Sequence, residues 1–238
     1  MDARTADFYR EAASAGRTVH GAYIVAHCPA RLLGGRRTAV DLREAARQAE
    51  RPNTGWPMGL VVEHFRDPED STRSLPEGIR TVIGRNDVDH FDDWSLTSDG
   101  SYFLGRFFQE DTRSQEPGHV LYFDTHIWRM AEAFDHGLAL YKALAVEGSR
   151  ELLFELRYEG LEGRLLSSSN HRYGVGGGRA TQAQVQFSGV YTLDELVADF
   201  ENIVFVAARQ IFSVFGFFDL QRPAFDAQVQ AYRNSRVR

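Results

Sequence analysis

Asp93-Trp94-Ser95-Leu96-Thr97-Ser98-Asp99-Gly100-Ser101-Tyr102-Phe103-Leu104-Gly105-Arg106-Phe107-Phe108 decides the fold class. Two apolar-rich runs flank Asp99-Gly100, a pair that supplies the positive backbone angles a tight turn demands. The stretch reads as a β-hairpin. A two-residue turn sets Leu96 opposite Phe103 and Trp94 opposite Gly105, so that an aromatic ring covers a strand glycine.

Working outward, residues 18–27, 59–65 and 79–83 predict further strands, and the charged, proline-bearing residues 67–78 an exposed loop. Residues 151–158 alternate, with Leu152, Phe154, Leu156 and Tyr158 on one side. They turn at 160–163 into a second hairpin arm, residues 164–168. Residues 181–190 also alternate, and their Gln182, Gln184 and Gln186 face must meet water. Helix starts carry their own signature. Thr38-Ala39-Val40-Asp41 and Thr192-Leu193-Asp194-Glu195 are capping boxes, in which side chains satisfy the free amides of a first turn. Asp124 or Thr125 is placed to cap an amphipathic helix carrying Ile127, Met130, Phe134, Leu138, Tyr141 and Ala145. Residues 7–15 form a short helix, and Pro223 restarts a last one. Hairpins with segregated helices predict an α+β fold: a mainly antiparallel sheet built from hairpins, with packed amphipathic helices. One domain spans 1–238, with 1–50 a candidate helix-strand-helix subregion.

Of 238 residues, 43% are apolar and 25% charged, which excludes a disordered chain, a collagen and a membrane channel. Cys28 is the single cysteine, so no internal disulfide can form and a reducing cytoplasm is expected. The first residues lack the apolar segment of a signal peptide, and no apolar run reaches the roughly 20 residues of a membrane helix. All basic residues but Lys142 are arginines, as GC-rich bacterial codons would give. The net charge is −6. Residues 86–116 are strongly acidic and 31–51 basic, so the overall sign opposes a duplex-binding surface while leaving arginine-rich ends.

Asp87, Asp89, His90, Asp92 and Asp93 could hold a divalent ion, although they lack the glycine and final glutamate of a calcium loop and read more simply as a solvated acidic loop. Arg172 and Arg179 flank the glycine tract 174–178, and with Arg36 and Arg37 they are candidates for phosphate or nucleic acid. The tract leads into a strand, where a phosphate cradle leads into a helix. Trp56 is a candidate binding aromatic or, more plainly, a loop anchor. Cys28 follows His27 on a strand, so the two side chains diverge and cannot pair as nucleophile and base. His126 and His136 lie nearly three helical turns apart and cannot share a metal. The helix after Thr192 is apolar nearly all round, which makes it either central or shared with a partner. Phe205, Phe212, Phe215, Phe217 and Phe218 are therefore interface candidates.

Several of these stretches carry a resemblance: residues 42–46 leading to Thr54-Gly55-Trp56-Pro57, then residues 94–111, Ile127-Trp128-Arg129, and Gly160-Leu161-Glu162-Gly163-Arg164. Over roughly residues 40–220 the chain resembles the domain that accompanies Schlafen AlbA-type putative DNA-binding domains in bacterial proteins; the AlbA-type module itself is not evident here. The resemblance implies a regulatory, sensing or assembly role, in transcription or phage defence. It brings no catalytic residues and no cofactor. The expectation is a non-enzymatic sensor or interaction domain, acting on copies of itself or on a partner encoded nearby. The alternatives are a metal-dependent enzyme on nucleotides or nucleic acid, using the acidic loop, and a nucleic-acid-binding module using the arginine-rich ends.

Overall fold

The computed structural model describes residues 3–235 apart from 32, 36, 55, 64–69, 86–89, 114, 171–177, 217 and 218. Its strands are β1 (Ala22–Pro29), β2 (Arg73–Leu75), β3 (Gly78–Ile83), β4 (Asp92–Thr97), β5 (Tyr102–Phe107), β6 (Val120–Tyr122), β7 (Glu151–Glu159), β8 (Leu165–Ser167) and β9 (Gln184–Thr192). Seven of them form one sheet in the order β2-β3-β4-β5-β1-β7-β9, antiparallel at every junction. The helices are α1 (Ala3–Ser14), α2 (Ala39–Ala49), α3 (Gln109–Arg113), α4 (Phe123–Ala143), α5 (Leu193–Ala198), α6 (Phe200–Phe212) and α7 (Arg222–Ser235). The fold is α+β.

Strand alternation divides the core in two. Tyr23, Val25, Leu104, Leu156 and Phe187 point to one face, where α2, α4 and α6 cover them. Ala22, Ile24, Phe103 and Phe107 point to the other, where Phe8 and Ala12 of α1 close over them. β5, with both faces covered, is buried at every position, whereas β9 at the sheet edge exposes Gln184, Gln186 and Ser188. β1 lies between β5 and β7, so residues 1–50 contribute a central strand to the same core.

The β4–β5 hairpin forms one residue out of the expected register. Leu96 faces Tyr102, Trp94 faces Leu104, and Gly105 lies opposite Asp93. The turn holds three residues, Ser98 to Gly100, closed by Thr97 N donating to Ser101 O, and Gly100 takes φ +88°. That is the three-residue loop with a left-handed glycine, in place of the two-residue turn. The shift sends Gly105 to the α1 face, directly under the Phe8 ring.

Other local expectations also change. Described residues 59–63 form no strand: side chains take up that backbone, with Trp94 donating to Leu60 O, Glu50 accepting from Val61 N and Thr72 Oγ1 accepting from Val62 N. The arm at 164–168 does not pair with β7; β8 runs parallel to β6 instead. Arg164, fully buried, fixes that geometry by gripping Asp111 at 2.7 and 2.5 Å and donating to Gly160 O and Val120 O. The Thr38 and Thr192 capping boxes both form. The helix after Thr192 breaks at Asp199 into α5 and α6. α6 is central: Phe212 and Phe215 are fully buried in this chain's own core, which removes them as interface residues. Phe205 is half-buried between Phe225 and the Arg222 guanidinium; Phe217 and Phe218 lie outside the described residues.

Candidate functional site

α4 is the axis of the molecule, touching α2, α5, α6 and α7. A helix surrounded this way should be apolar throughout, yet Asp124, His126, Arg129, Glu132, Asp135 and His136 are all buried on it. Each needs a compensating group, and the partners come from loops remote in sequence.

Arg129 donates from Nη1 to Glu132 at 3.0 Å, to Trp56 O at 3.2 Å and to Thr54 Oγ1. Thr54 Oγ1 in turn donates to Glu132 at 2.8 Å. Arg106, on β5, meets the same turn from below. Its Nε reaches Asp92 Oδ1 at 2.7 Å, its Nη2 reaches Asp92 Oδ2, and it donates to Trp56 O and Pro57 O. The Trp56 indole donates to Asp92 at 2.9 Å and stacks on His90 at 4.2 Å. Two arginines and two carboxylates thus clamp Thr54, Trp56 and Pro57. Burial pushes the Glu132 carboxyl above its ordinary value, opposed by the Arg129 and Arg106 charges.

Beside this network lies a cleft of about 450 Å³, bordered by the start of α4, Thr54, residues 169–170 and α7. Thr54, Gln109, Asp124, Trp128, Arg129 and Gln228 line it. Asp124 does not cap α4, whose N-cap is Tyr122 without a side-chain bond. Its carboxylate accepts instead from Ser168 Oγ, Ser169 N and Oγ, Asn170 N and Thr125 N, fastening the loop that forms one wall. The opposite wall is held by Trp128 Nε1 donating to Gln228 and by Tyr232 donating to Asp135 at 3.0 Å.

Two further polar groups lie close by. His126 Nε2 sits 3.0 Å from Glu110 and Nδ1 3.3 Å from the Tyr158 hydroxyl. Burial opposes the Glu110 charge, but the His126 imidazole outweighs it and holds the carboxyl below its ordinary value. All three side chains are closed off from solvent. On the far side of the sheet, a hollow of about 630 Å³ beside α1 is lined by Cys28, Phe103, Leu153 and Val190. Burial pushes the Cys28 thiol up, which makes it a poor nucleophile.

Among the described residues singled out from sequence, Trp56, His90 and Asp92 come together, and the others do not join them. Asp92 and Asp93 point to opposite faces of β4, and each is held by an arginine: Asp93 by Arg80 at 2.8 and 2.7 Å, Asp92 by Arg106. Neither has its carboxylate free for a metal, and His90 is stacked on Trp56. Asp87 and Asp89 lie outside the described residues, as do Arg36 and Arg172. Among the described residues, no three histidines, cysteines or acids gather as metal ligands would. Arg37 donates to Ser98 O and Leu144 O, and Arg179 to Gly163 O, so both serve loop geometry. Trp56 stands as a loop anchor. Sequence reading missed Arg129, Glu132, Arg106 and Asp124; the charges of α4 fall off its apolar stripe, where a solvated face would carry them, so nothing local marked them as buried. No helix among the described residues is long and apolar enough to cross a membrane. No family model, no curated protein and no solved structure matches the chain.

Proposed function

We propose that this chain is a non-enzymatic sensor and interaction domain that binds a small polar molecule in the cleft at the start of α4. The observation that carries this reading is the construction of the cleft. Its walls are held by a buried ionic network that costs desolvation energy to assemble, and a purely structural role would be met as well by apolar packing. The volume suits a metabolite-sized ligand. The most reaction-like pair, Glu110 with His126, is sealed beneath the surface where no substrate reaches it. The first turn of α4, residues 169–170 and α7 all border the cleft, so occupancy would be felt by the C-terminal helix. That is the coupling a sensor passes to a second copy or to a partner. The resemblance noted above points to a role in bacterial regulation or phage defence, and the single cysteine to a reducing cytoplasm.

The test is a melting-temperature screen against defined phosphates, carboxylates and nucleosides, on the native chain and on Ala231→Phe, which fills the cleft mouth from exposed α7. A true ligand at 100 times its Kd adds about 2.7 kcal/mol to stability. The expected result is stabilisation of the native chain only, with the ligand recovered chemically unchanged and the light-scattering mass altered by its presence. A ligand consumed on incubation, or stabilisation indifferent to Ala231→Phe, overturns the reading.

A further inference from the structure

We infer that the cleft reads an oxyanion, a carboxylate or phosphate group on its ligand, through the Nε–Nη2 edge of Arg129; this rests on the cleft being the ligand site. A guanidinium carries five donors on two usable edges. Arg129 spends Nη1 on Thr54, Trp56 and Glu132, and among the described residues nothing accepts from Nε or Nη2. Its side chain is only 4% exposed, so these donors do not face bulk water; Arg129 meets solvent through the cleft it lines.

The same molecule shows what this edge is used for. Arg80 grips Asp93 and Arg106 grips Asp92, each with Nε on one carboxylate oxygen and Nη2 on the other. Arg129 has the same pair of parallel donors, and among the described residues no carboxylate lies against it. Asp124, a carboxylate lining the same cleft, has its oxygens occupied by five other donors. The Nη1 contacts fix the plane of the guanidinium in advance, so little side-chain entropy remains to be lost on binding. A buried, oriented fork is matched to a planar carboxylate or to two oxygens of a phosphate. Gln109 and Gln228 stand nearby to bond the remainder of the molecule.

The experiment titrates inorganic phosphate and, separately, succinate into the full chain, following the Trp128 indole and Arg129 Nε–H resonances by NMR. Adenosine serves as an uncharged comparison. Saturable shifts are expected with at least one anion, weakened tenfold or more in Arg129→Lys, which keeps the charge and loses the fork, and abolished in Ala231→Phe. Response to phosphate alone or to succinate alone assigns the source of the oxyanion. Should Arg129→Lys fail to fold, Ala231→Phe decides, since Ala231 is exposed and outside the ionic network. Adenosine binding that Ala231→Phe blocks, without any anion response, overturns the oxyanion assignment and leaves the cleft reading intact. Shifts by no probe, or anion shifts unchanged in both variants, overturn the assignment; in the first case the cleft reading falls with it.

Discussion

Mild acid will weaken this protein through two buried histidines. His27 and His136 are buried with ring centroids 5.6 Å apart, packed with Tyr102, Tyr141 and Phe154. His27 Nδ1 bonds the Tyr141 hydroxyl at 2.9 Å, but among the described residues His27 Nε2 and both His136 nitrogens lack a partner. Burial lowers His27 from 6.5 to about 3. Burial, then repulsion from Arg51 and Arg106 and from His27 whenever that ring is protonated, lowers His136 well below the same value. Both rings stay neutral in the folded chain while the unfolded chain takes up protons below pH 6.5. Stability is therefore complete above about pH 6.5 and is lost as the pH falls toward the folded-state values. At pH 5 each ring costs about 2 kcal/mol, or about 4 together, a large part of the 5–15 of an ordinary domain. Urea denaturation between pH 7.5 and 5 measures this. Raised carboxylates such as Glu132 and Asp93 act in the opposite sense, so the comparison with His136→Leu is decisive. That variant should remove about 1.4 kcal/mol per pH unit from the slope below pH 6.5. An unchanged slope refutes the argument.

Three further outcomes follow from the same packing. Arg106→Met strands the buried Asp92 carboxylate and should cost about 3–5 kcal/mol by guanidinium denaturation, with Asp92→Asn added to it restoring part; a loss under 1 kcal/mol would contradict the buried-pair reading. Gly105→Ala places a Cβ 2.5 Å from the Phe8 ring and should cost about 1–3 kcal/mol, an effect that Phe8→Ala must diminish in a double-mutant cycle. Asp124→Ala frees the donors of Ser168, Ser169 and Asn170, so limited proteolysis should cut there faster than in the native chain, with about 1–3 kcal/mol of stability lost.

The fold class was legible because it rests on short-range patterns. The Thr38 and Thr192 boxes lie within four residues, and the alternation of residues 151–158 and 181–190 reports one wet face and one dry one. The candidate site was not legible. Thr54, Asp92, Arg106, Arg129 and Glu132 come from a turn, two strands and a helix, and nothing local marks them as one group. Nor could a run of carboxylates in sequence say that Asp92 would meet Arg106 and Asp93 would meet Arg80.

Hydrophobic periodicity and capping thus determined, from the residues alone, that the chain would fold as an antiparallel sheet with helices packed on it. Tertiary structure decided the hairpin register, since Phe8 needs the space above Gly105. It decided that β8 joins β6, through buried Arg164, and that α6 lies inside. It also decided which carboxylate each buried arginine meets, Asp92 for Arg106 and Asp111 for Arg164. The reason is physical: local propensity is set by neighbours in the chain, whereas the cost of burying a charge is set by whatever the finished fold brings against it.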